Sequence, residues 1–401
     1  MKYSQLFPKT KREAPKGAEA VNHKLLVRGG FIDQLAAGSW TLLPLGWRVV
    51  SKITQIVREE MDAIGCQEML MPLLHPREVW DQTGRWDSAK EVMYQLKDTR
   101  EREWALSFTH EEIVMDLMKK HVSSYKDLPL AVYHFSTKFR NEPRATGGIL
   151  RGREFLMKDA YSMHLTEEDL MVWYEKFKQA YLKAFKRMGF DIYVTEASGG
   201  VFTEKHTHEF QVLAESGEDT IYIKKGSREG YNKEVFEGKK EDYEEHKSIE
   251  VGNIFPLGTM YSEKMNALVT DKEGKKRVIW FGSYGIGTTR VMGAAVEAFH
   301  DAKGIIWPKA IAPYQAHLIT LNAQPAALKI YDQLEKAGVE VLWDETERGA
   351  GEKFADADLL GIPVRLVVSE KTGDKIEWKE RAEEKTELVS VEEAIERLTS
   401  V

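Results

Sequence analysis

The chain has 401 residues, 42% hydrophobic and 30% charged, a balance that excludes disordered and membrane-embedded classes and leaves room for about two or three domains. With 57 Lys and Arg against 64 Asp and Glu the formal charge is −7, so bulk charge does not advertise a nucleic-acid binder. Cys66 is the only cysteine, which excludes an intrachain disulfide and a cysteine-rich zinc site. No run approaches the roughly 20 apolar residues of a membrane helix, and the basic N-terminal stretch has no apolar signal core, so a cytoplasmic location is expected.

In chain order, the first long element is predicted as a helix from Gly46. Val49, Ile53, Ile56 and Ile64 fall at helical spacing, followed by a Gly65 stop and a strand over QEMLMP ending at Pro72. At Thr109 the run THEE precedes the apolar IVMDLM, so Thr109 and Glu112 fit a capping box, which leaves Glu111 unexplained. Thr137 to Met163 then reads as two strands joined by an arginine-rich loop. Tyr133, Phe135, Thr137 and Phe139 alternate with His134, Ser136, Lys138 and Arg140, giving a mostly apolar face and a polar one that also carries Glu142. In the return strand Arg153, Phe155, Met157, Asp159 and Tyr161 share a face, which sets a flat ring beside Arg140. The loop with Arg144, Gly147, Gly148 and Arg151 can fold over a polyanion. Guanidinium groups grip phosphates bidentately and aromatic faces stack on purines, so the hairpin is a candidate nucleotide site. A charged hairpin with surface salt bridges is the competing account.

A second helix is predicted over Thr166 to Met188, opened by Thr166-x-x-Asp169 and closed by Gly189, with Leu170, Trp173, Phe177, Tyr181, Ala184 and Met188 at core spacing. Strand-like FDIYVTE, a turn at Gly199 and Gly200, and HEFQVLAE follow. From about Gly217 to Ser248 charged residues dominate without an apolar period, which predicts a loop or small surface excursion. Val278 to Arg290 reads as an apolar strand, a glycine-rich turn and a helix that opens near Thr288 with Arg290 in its first turn. WPKAIAPY marks a boundary, after which QAHLITL, Pro325 to Ala337, VEVLW, Glu352 to Leu360 and PVRLVV alternate as strand and helix. That pattern predicts an α/β domain with parallel pairing. From Ala312 onward there are 11 Lys and Arg against 19 Asp and Glu, a balance of −8, so RNA binding there needs a local basic face.

Arg140-x-Glu142, a loop, then Arg151-x-x-x-Phe155-x-x-x-Asp159 resembles the second signature motif of the class II aminoacyl-tRNA synthetases. The helix and strand before Pro72 resemble the first motif, and VIWFGSYGIGTTR the third. The words THEE, KFRNE, REFLMKDAYS, HEFQVL, EVGNIFPLGT and YGIGTTR together are similar to the bacterial-type prolyl-tRNA synthetases over nearly the whole chain. The resemblance implies an α+β catalytic domain over residues 1–311, with a mostly antiparallel sheet flanked by helices, and an α/β anticodon-binding domain over residues 312–401. It also implies a homodimer, activation of proline by ATP with Mg²⁺, and transfer of the prolyl group to tRNA-Pro.

By the same resemblance Arg140 contacts the α-phosphate and the proline carboxylate, and Arg151 and Arg290 hold the pyrophosphate end. Phe155 stacks on adenine, Glu142 accepts from its amino group, and Glu209 or Gln211 orients ATP or magnesium. Thr109 and Glu111 take the proline ammonium, with His208 and Ser283 in the same pocket. Asp344, Arg348 and Lys353 are candidates to reach the anticodon.

The sequence departs from the family in four places. Ser283 stands where relatives usually carry cysteine, which predicts altered discrimination against alanine or cysteine with the activation chemistry kept. Gly199 to Thr207 and Ala145 to Leu150 differ from the usual approaches to their motifs. Only residues 217–248 stand where typical bacterial relatives insert an editing domain, too short a segment to bury a hydrolytic pocket. Deacylation in cis is therefore not expected, and proofreading falls to a separate deacylase. A threonyl relative would need a zinc-binding cysteine in the catalytic core, and a seryl relative an N-terminal coiled coil. A paralogue that loads a non-tRNA acceptor and a non-catalytic regulatory homologue are the alternative functions.

Overall fold

The computed structural model describes residues 1–199 and 207–400, so Gly200 of the expected turn and most of the divergent Gly199 to Thr207 stretch lie outside the described residues. Two units are present: Ala36–Ser39 with Ile53–Ala294, and Met1–Leu35 and Trp40–Lys52 with Ala295–Val401. Among the described residues no helix is long and apolar enough to cross a membrane.

The unit centred on Ile53–Ala294 is built on a nine-stranded sheet. Its strands are β1 (Gln67–Glu68), β2 (Leu130–Phe139), β3 (Glu154–His164), β4 (Tyr193–Ala197), β5 (Thr207–Leu213), β6 (Asp219–Lys224), β7 (Glu229–Asn232), β8 (Tyr243–Gly258) and β9 (Trp280–Ile286). They lie in the order β5-β4-β7-β6-β8-β9-β3-β2-β1, and only β1 with β2 and β4 with β7 run parallel. Helix α1 (Pro44–Ala63) ends before Gly65, whose φ of +87° suits glycine, and β1 is shorter than the predicted QEMLMP strand. Helix α2 (Glu111–His121) follows the THEE run, and α3 (Glu167–Arg187) is capped by the Thr166 hydroxyl, which accepts from the Asp169 N–H. The predicted apolar stripe of α3 is buried, and Phe177 stacks on Tyr284 of β9 at 3.6 Å between centroids. Helix α4 (Thr288–Ala298) opens where the third motif predicts.

In the β2–β3 hairpin the alternation is present, and toward the end of β2 the polar face is the more deeply buried one. His134, Ser136 and Lys138 are at most 5% exposed, whereas Phe135, Thr137 and Phe139 are half-buried. The register pairs His134 with Asp159, Ser136 with Met157 and Lys138 with Phe155, so those side chains share one face.

The expectation for residues 217–248 is corrected. They form β6, β7 and the start of β8, and β8 pairs with β6 over its first half and with β5 and β9 over its second. Strands β5, β4, β7, β6 and β8 therefore close into a ring. The aromatics scattered among the charges meet there: Tyr222 stacks on Phe236 at 4.1 Å, and Tyr243 meets Phe236 edge-on at 5.0 Å. One solvated face per strand leaves no sustained apolar run to read.

The other unit carries β10 (Ala316–Leu321), β11 (Val341–Asp344), β12 (Val364–Ser369), β13 (Ile376–Glu380) and β14 (Glu387–Val389), in the order β11-β10-β12-β13-β14. The first three are parallel, as strand–helix alternation predicts, and β13 and β14 add antiparallel. Helices α5 (Gln324–Lys336), α6 (Ala350–Leu360) and α7 (Val391–Thr399) belong to the same unit. Leu318, Leu334, Trp343, Leu366 and Leu398 meet in its core.

Candidate active site

Strands β3, β8 and β9, the loop after β2 and the first turn of α4 surround a cavity of about 310 Å³. Arg140, Glu142, Arg151, Phe155 and Arg290 line it together, as the motifs predict, with Glu218, Asp219, Glu250 and Asn253. Arg140 sits one residue beyond β2, where its N–H donates to the Arg153 carbonyl at 2.9 Å. Its guanidinium lies 5.2 Å from the Phe155 ring, and its buried Nε has no hydrogen-bond partner among the described residues. Burial pulls the Arg140 pKa below its ordinary value, against the pull of Asp159, Glu250 and Glu111. An anion bound here would supply what the protein leaves unmade.

The other two arginines are already held. Arg290 donates to the Leu150 carbonyl at 2.7 Å and to that of Glu250, so backbone fixes its direction. Arg151 pairs with Glu142 at 3.0 Å and Glu218 at 3.4 Å. Gly285 lies against Asn253: an added Cβ would come 2.9 Å from Asn253 Oδ1, so the close approach requires glycine.

Glu209 pairs with Asn253 and Asn253 with Gly285 across β5, β8 and β9, which puts all three on one face. Gln211 lies past a bulge and donates to Glu209 at 2.9 Å, and Asn232 donates at 3.1 Å. Burial and the neighbouring Glu250 charge push Glu209 up to about 8, and burial raises Glu250 too. Carboxylate oxygens that resist ionising together suit a hard divalent cation, so the donor set fits Mg²⁺.

A second cluster lies along β9, where Ser283 and Gly285 share a face about 7 Å apart at two residues of strand rise. Ser283 Oγ donates to Glu111 Oε1 at 3.0 Å, the Thr109 hydroxyl donates to Oε2, and Arg85 lies 3.4 Å from the same oxygen. Glu111 is 1% exposed. The capping-box reading is corrected: His110 is the N-cap with no side-chain cap bond, and Glu112 turns inward to Thr83 at 2.8 Å and Arg85 at 3.1 Å. Arg85, in the short helix Arg85–Ser88, was missed because an isolated arginine in a polar run carries no sequence signal. Glu250 lay within a family word without a role, and Glu218 and Asp219 lay in the presumed loop.

Two expectations fail. His208 pairs with Ile254, and Ile254 with Tyr284, so His208 faces α3 and bonds the Tyr174 hydroxyl at 2.7 Å. It is on the opposite face from Ser283 and Glu111, because neighbours on a strand point to opposite sides. Asp344 and Lys353 are fully buried; Lys353 donates to the carbonyls of Thr320 at 2.8 Å and Asp344 at 3.2 Å. Arg348, partly exposed, pairs with Asp344 at 2.7 Å and with Asp356, so Asp344 and Lys353 belong to an internal network and are not presented to a base.

Among the described residues one group has the spacing to hold a metal ion, His110, His134 and Asp159, with ligand atoms within 4.8 Å of one another. The Lys138 ammonium stands among them, 2.7 Å from His110 Nδ1 and paired with Asp159.

This antiparallel sheet with three motif arginines around a cavity defines a class II aminoacyl-tRNA synthetase fold. Residues 94–299 match the tRNA synthetase class II core domain family (G, H, P, S and T), and residues 310–400 match the anticodon binding domain family. The proline–tRNA ligase of Agrobacterium fabrum is 39% identical over 99% of both chains, and that of a Wolbachia of Brugia malayi 41% over 98% of this chain and 99% of its own. The chain belongs to the proline–tRNA ligase family. The Dehalococcoides mccartyi member is 34% identical in an alignment that runs to 559 positions, over 99% of this chain and 98% of its own. Solved prolyl-tRNA synthetases share the fold. That of Giardia lamblia with prolyl-adenylate has a TM-score of 0.80 at 19% identity, over 94% of this chain and 75% of its own. That of Cryptosporidium parvum with halofuginone and AMPPNP has 0.81 at 16%, over 94% and 76%.

Proposed function

We infer that the chain activates proline with ATP to prolyl-adenylate, releasing pyrophosphate, and then passes the prolyl group to the terminal ribose of tRNA-Pro. The observation that carries this reading is Arg140, a cation with an unpaired buried Nε and an aromatic ring beside it, aimed into a cavity between two arginines. The proline carboxylate is the nucleophile, so no side chain has to be activated; the protein aligns the carboxylate with the α-phosphate and neutralises charge.

Arg140 bridges the carboxylate and α-phosphate, Arg290 and Arg151 take the outer phosphates, and Phe155 stacks on adenine. Glu142, freed from Arg151, accepts from the adenine amino group. Glu209, supported by Gln211 and joined by Glu250, holds Mg²⁺, which screens the phosphates. Thr109 and Glu111 receive the secondary ammonium of proline, with Ser283 fixing the Glu111 carboxylate. The catalytic domain is assigned to residues 1–311 and the anticodon-binding domain to 312–401, in the cytoplasm, as a homodimer. Residues 217–248 supply strands to the sheet instead of a separate inserted domain, which supports the reading that proofreading belongs to a separate deacylase.

The test is proline-dependent exchange of pyrophosphate into ATP, followed by transfer to tRNA-Pro. Exchange without transfer would favour a paralogue loading another acceptor, a reading that the anticodon-binding match weighs against. No exchange would favour a non-catalytic homologue.

A further inference from the structure

We propose that Lys138 is a positioning residue for the proline end of the site, holding the Thr109–Glu111 turn in place through the ring and backbone of His110. The inference rests on the reading that Thr109 and Glu111 receive the proline ammonium.

Lys138 is fully buried near the end of β2, where a buried strand side chain is ordinarily apolar. A cation kept in a dry site has to be matched by acceptors, and here they surround it. Its Nζ pairs with Asp159 Oδ2 and lies 2.7 Å from Ser136 Oγ, 2.7 Å from His110 Nδ1 and 3.4 Å from His134 Nε2.

The ammonium can only donate, so His110 Nδ1 must accept and the ring proton must sit on Nε2. That Nε2 lies 2.9 Å from the Pro72 carbonyl, to which it donates. Both ring nitrogens are thereby committed, Nδ1 as acceptor and Nε2 as donor. The backbone of the same residue is tied as well: the His110 N–H donates to the Tyr161 hydroxyl at 3.1 Å, and that hydroxyl donates to Asp159 at 3.4 Å. Ring and backbone therefore both end on the Lys138–Asp159 pair.

His110 stands between Thr109 and Glu111 and is the N-cap of α2, with φ −132° and ψ 18° and no side-chain cap bond. The direction in which Glu111 leaves the turn is thus set by what grips His110. The nucleotide end has a separate support, since Arg290 hangs from the carbonyls of Leu150 and Glu250. Lys138 also stands beside Phe155 and two residues before Arg140, but its hydrogen bonds run to the His110 side, so loss of the ammonium should loosen the proline end more than the nucleotide end.

The test uses exchange kinetics on the full chain. Lys138→Met should raise the KM for proline about tenfold or more, the scale of one lost charged hydrogen bond, with the KM for ATP within about twofold. Lys138→Ala should regain proline affinity when ethylammonium is supplied, and not with the same concentration of tetramethylammonium, which cannot donate. Tyr161→Phe keeps the ring in place and removes only the hydroxyl; it should raise the proline KM several-fold in the same one-sided way, and it decides the matter if the lysine variants fail to fold. Parallel rises in both KM values, no change, or a Lys138→Ala defect indifferent to ethylammonium would overturn the proposal. Wild-type chain without proline-dependent exchange would sink the underlying function itself, whereas normal exchange without the KM split sinks only the role of Lys138.

Discussion

At Arg140 stability and activity pull in opposite directions. Its buried Nε is unmatched in the ligand-free chain, and an unmade buried hydrogen bond costs about 1–3 kcal/mol. Arg140→Met should therefore leave the melting temperature unchanged or raise it, while lowering the exchange rate by about 10²-fold or more, the scale of a lost charge-stabilising donor. Melting curves and exchange rates on the same preparation check both signs. Glu209 gives a pH-dependent prediction. Its folded pKa of about 8 exceeds the ordinary carboxylate value, so its contribution to stability is complete at low pH and is lost as pH rises through about 8. Binding of magnesium with ATP needs the ionised form and should release close to one proton at pH 7. Titration calorimetry in two buffers of different ionisation enthalpy reads this directly, and identical heats in both would count against it. The nucleotide residues were legible because charge and ring alternate on adjacent strands; His208 was not, because a sequence word cannot say which face of a strand looks into a pocket.

At the scale of elements, the hairpin β6–β7 is part of the sheet's closure. The amides of Ile221 and Ile223, both nearly fully buried, should exchange with solvent as slowly as those of the central strands. Fast exchange there would restore the loop reading. The short helix Arg85–Ser88 is tied to α2 by a desolvated charge cluster, with Arg85 6% exposed between Glu111 and Glu112. Arg85→Leu should destabilise the chain by about 3–5 kcal/mol, because two buried carboxylates lose their counter-ion. Adding Glu112→Gln should recover part of that in chemical denaturation, since one of the two charges is then gone. Helix α3 was legible from spacing and punctuation, whereas α2 was signalled only by a capping-box word before an apolar run. The cap of α3 was read correctly, and that of α2 was not, because Thr109 and Glu112 each found a stronger buried partner than the helix end.

For the molecule as a whole, the proposed dimer has a physical motive at the sheet edge. β1 is an edge strand, and Leu70 just beyond it is 79% exposed. Sedimentation should give twice the chain mass, and Leu70→Glu should shift the population toward monomer. The purified chain should also leave alanyl-tRNA-Pro intact, since residues 217–248 are committed to the sheet. Rapid deacylation would require a hydrolytic site elsewhere.

The sequence by itself determined the strand–helix alternation after residue 312, because periodicity is a local property, and its resemblance to the class II motifs implied the class of fold and the group of Arg140, Glu142, Arg151, Phe155 and Arg290. Tertiary structure decided which faces meet. It buried the polar side of β2 around Lys138, turned His208 toward α3, and drew Asp344 and Lys353 inside. It also made strands of a charged segment by giving them neighbours. Each of these turns on pairing between residues far apart in the chain, where register and burial decide what a charge touches, and no local pattern encodes that.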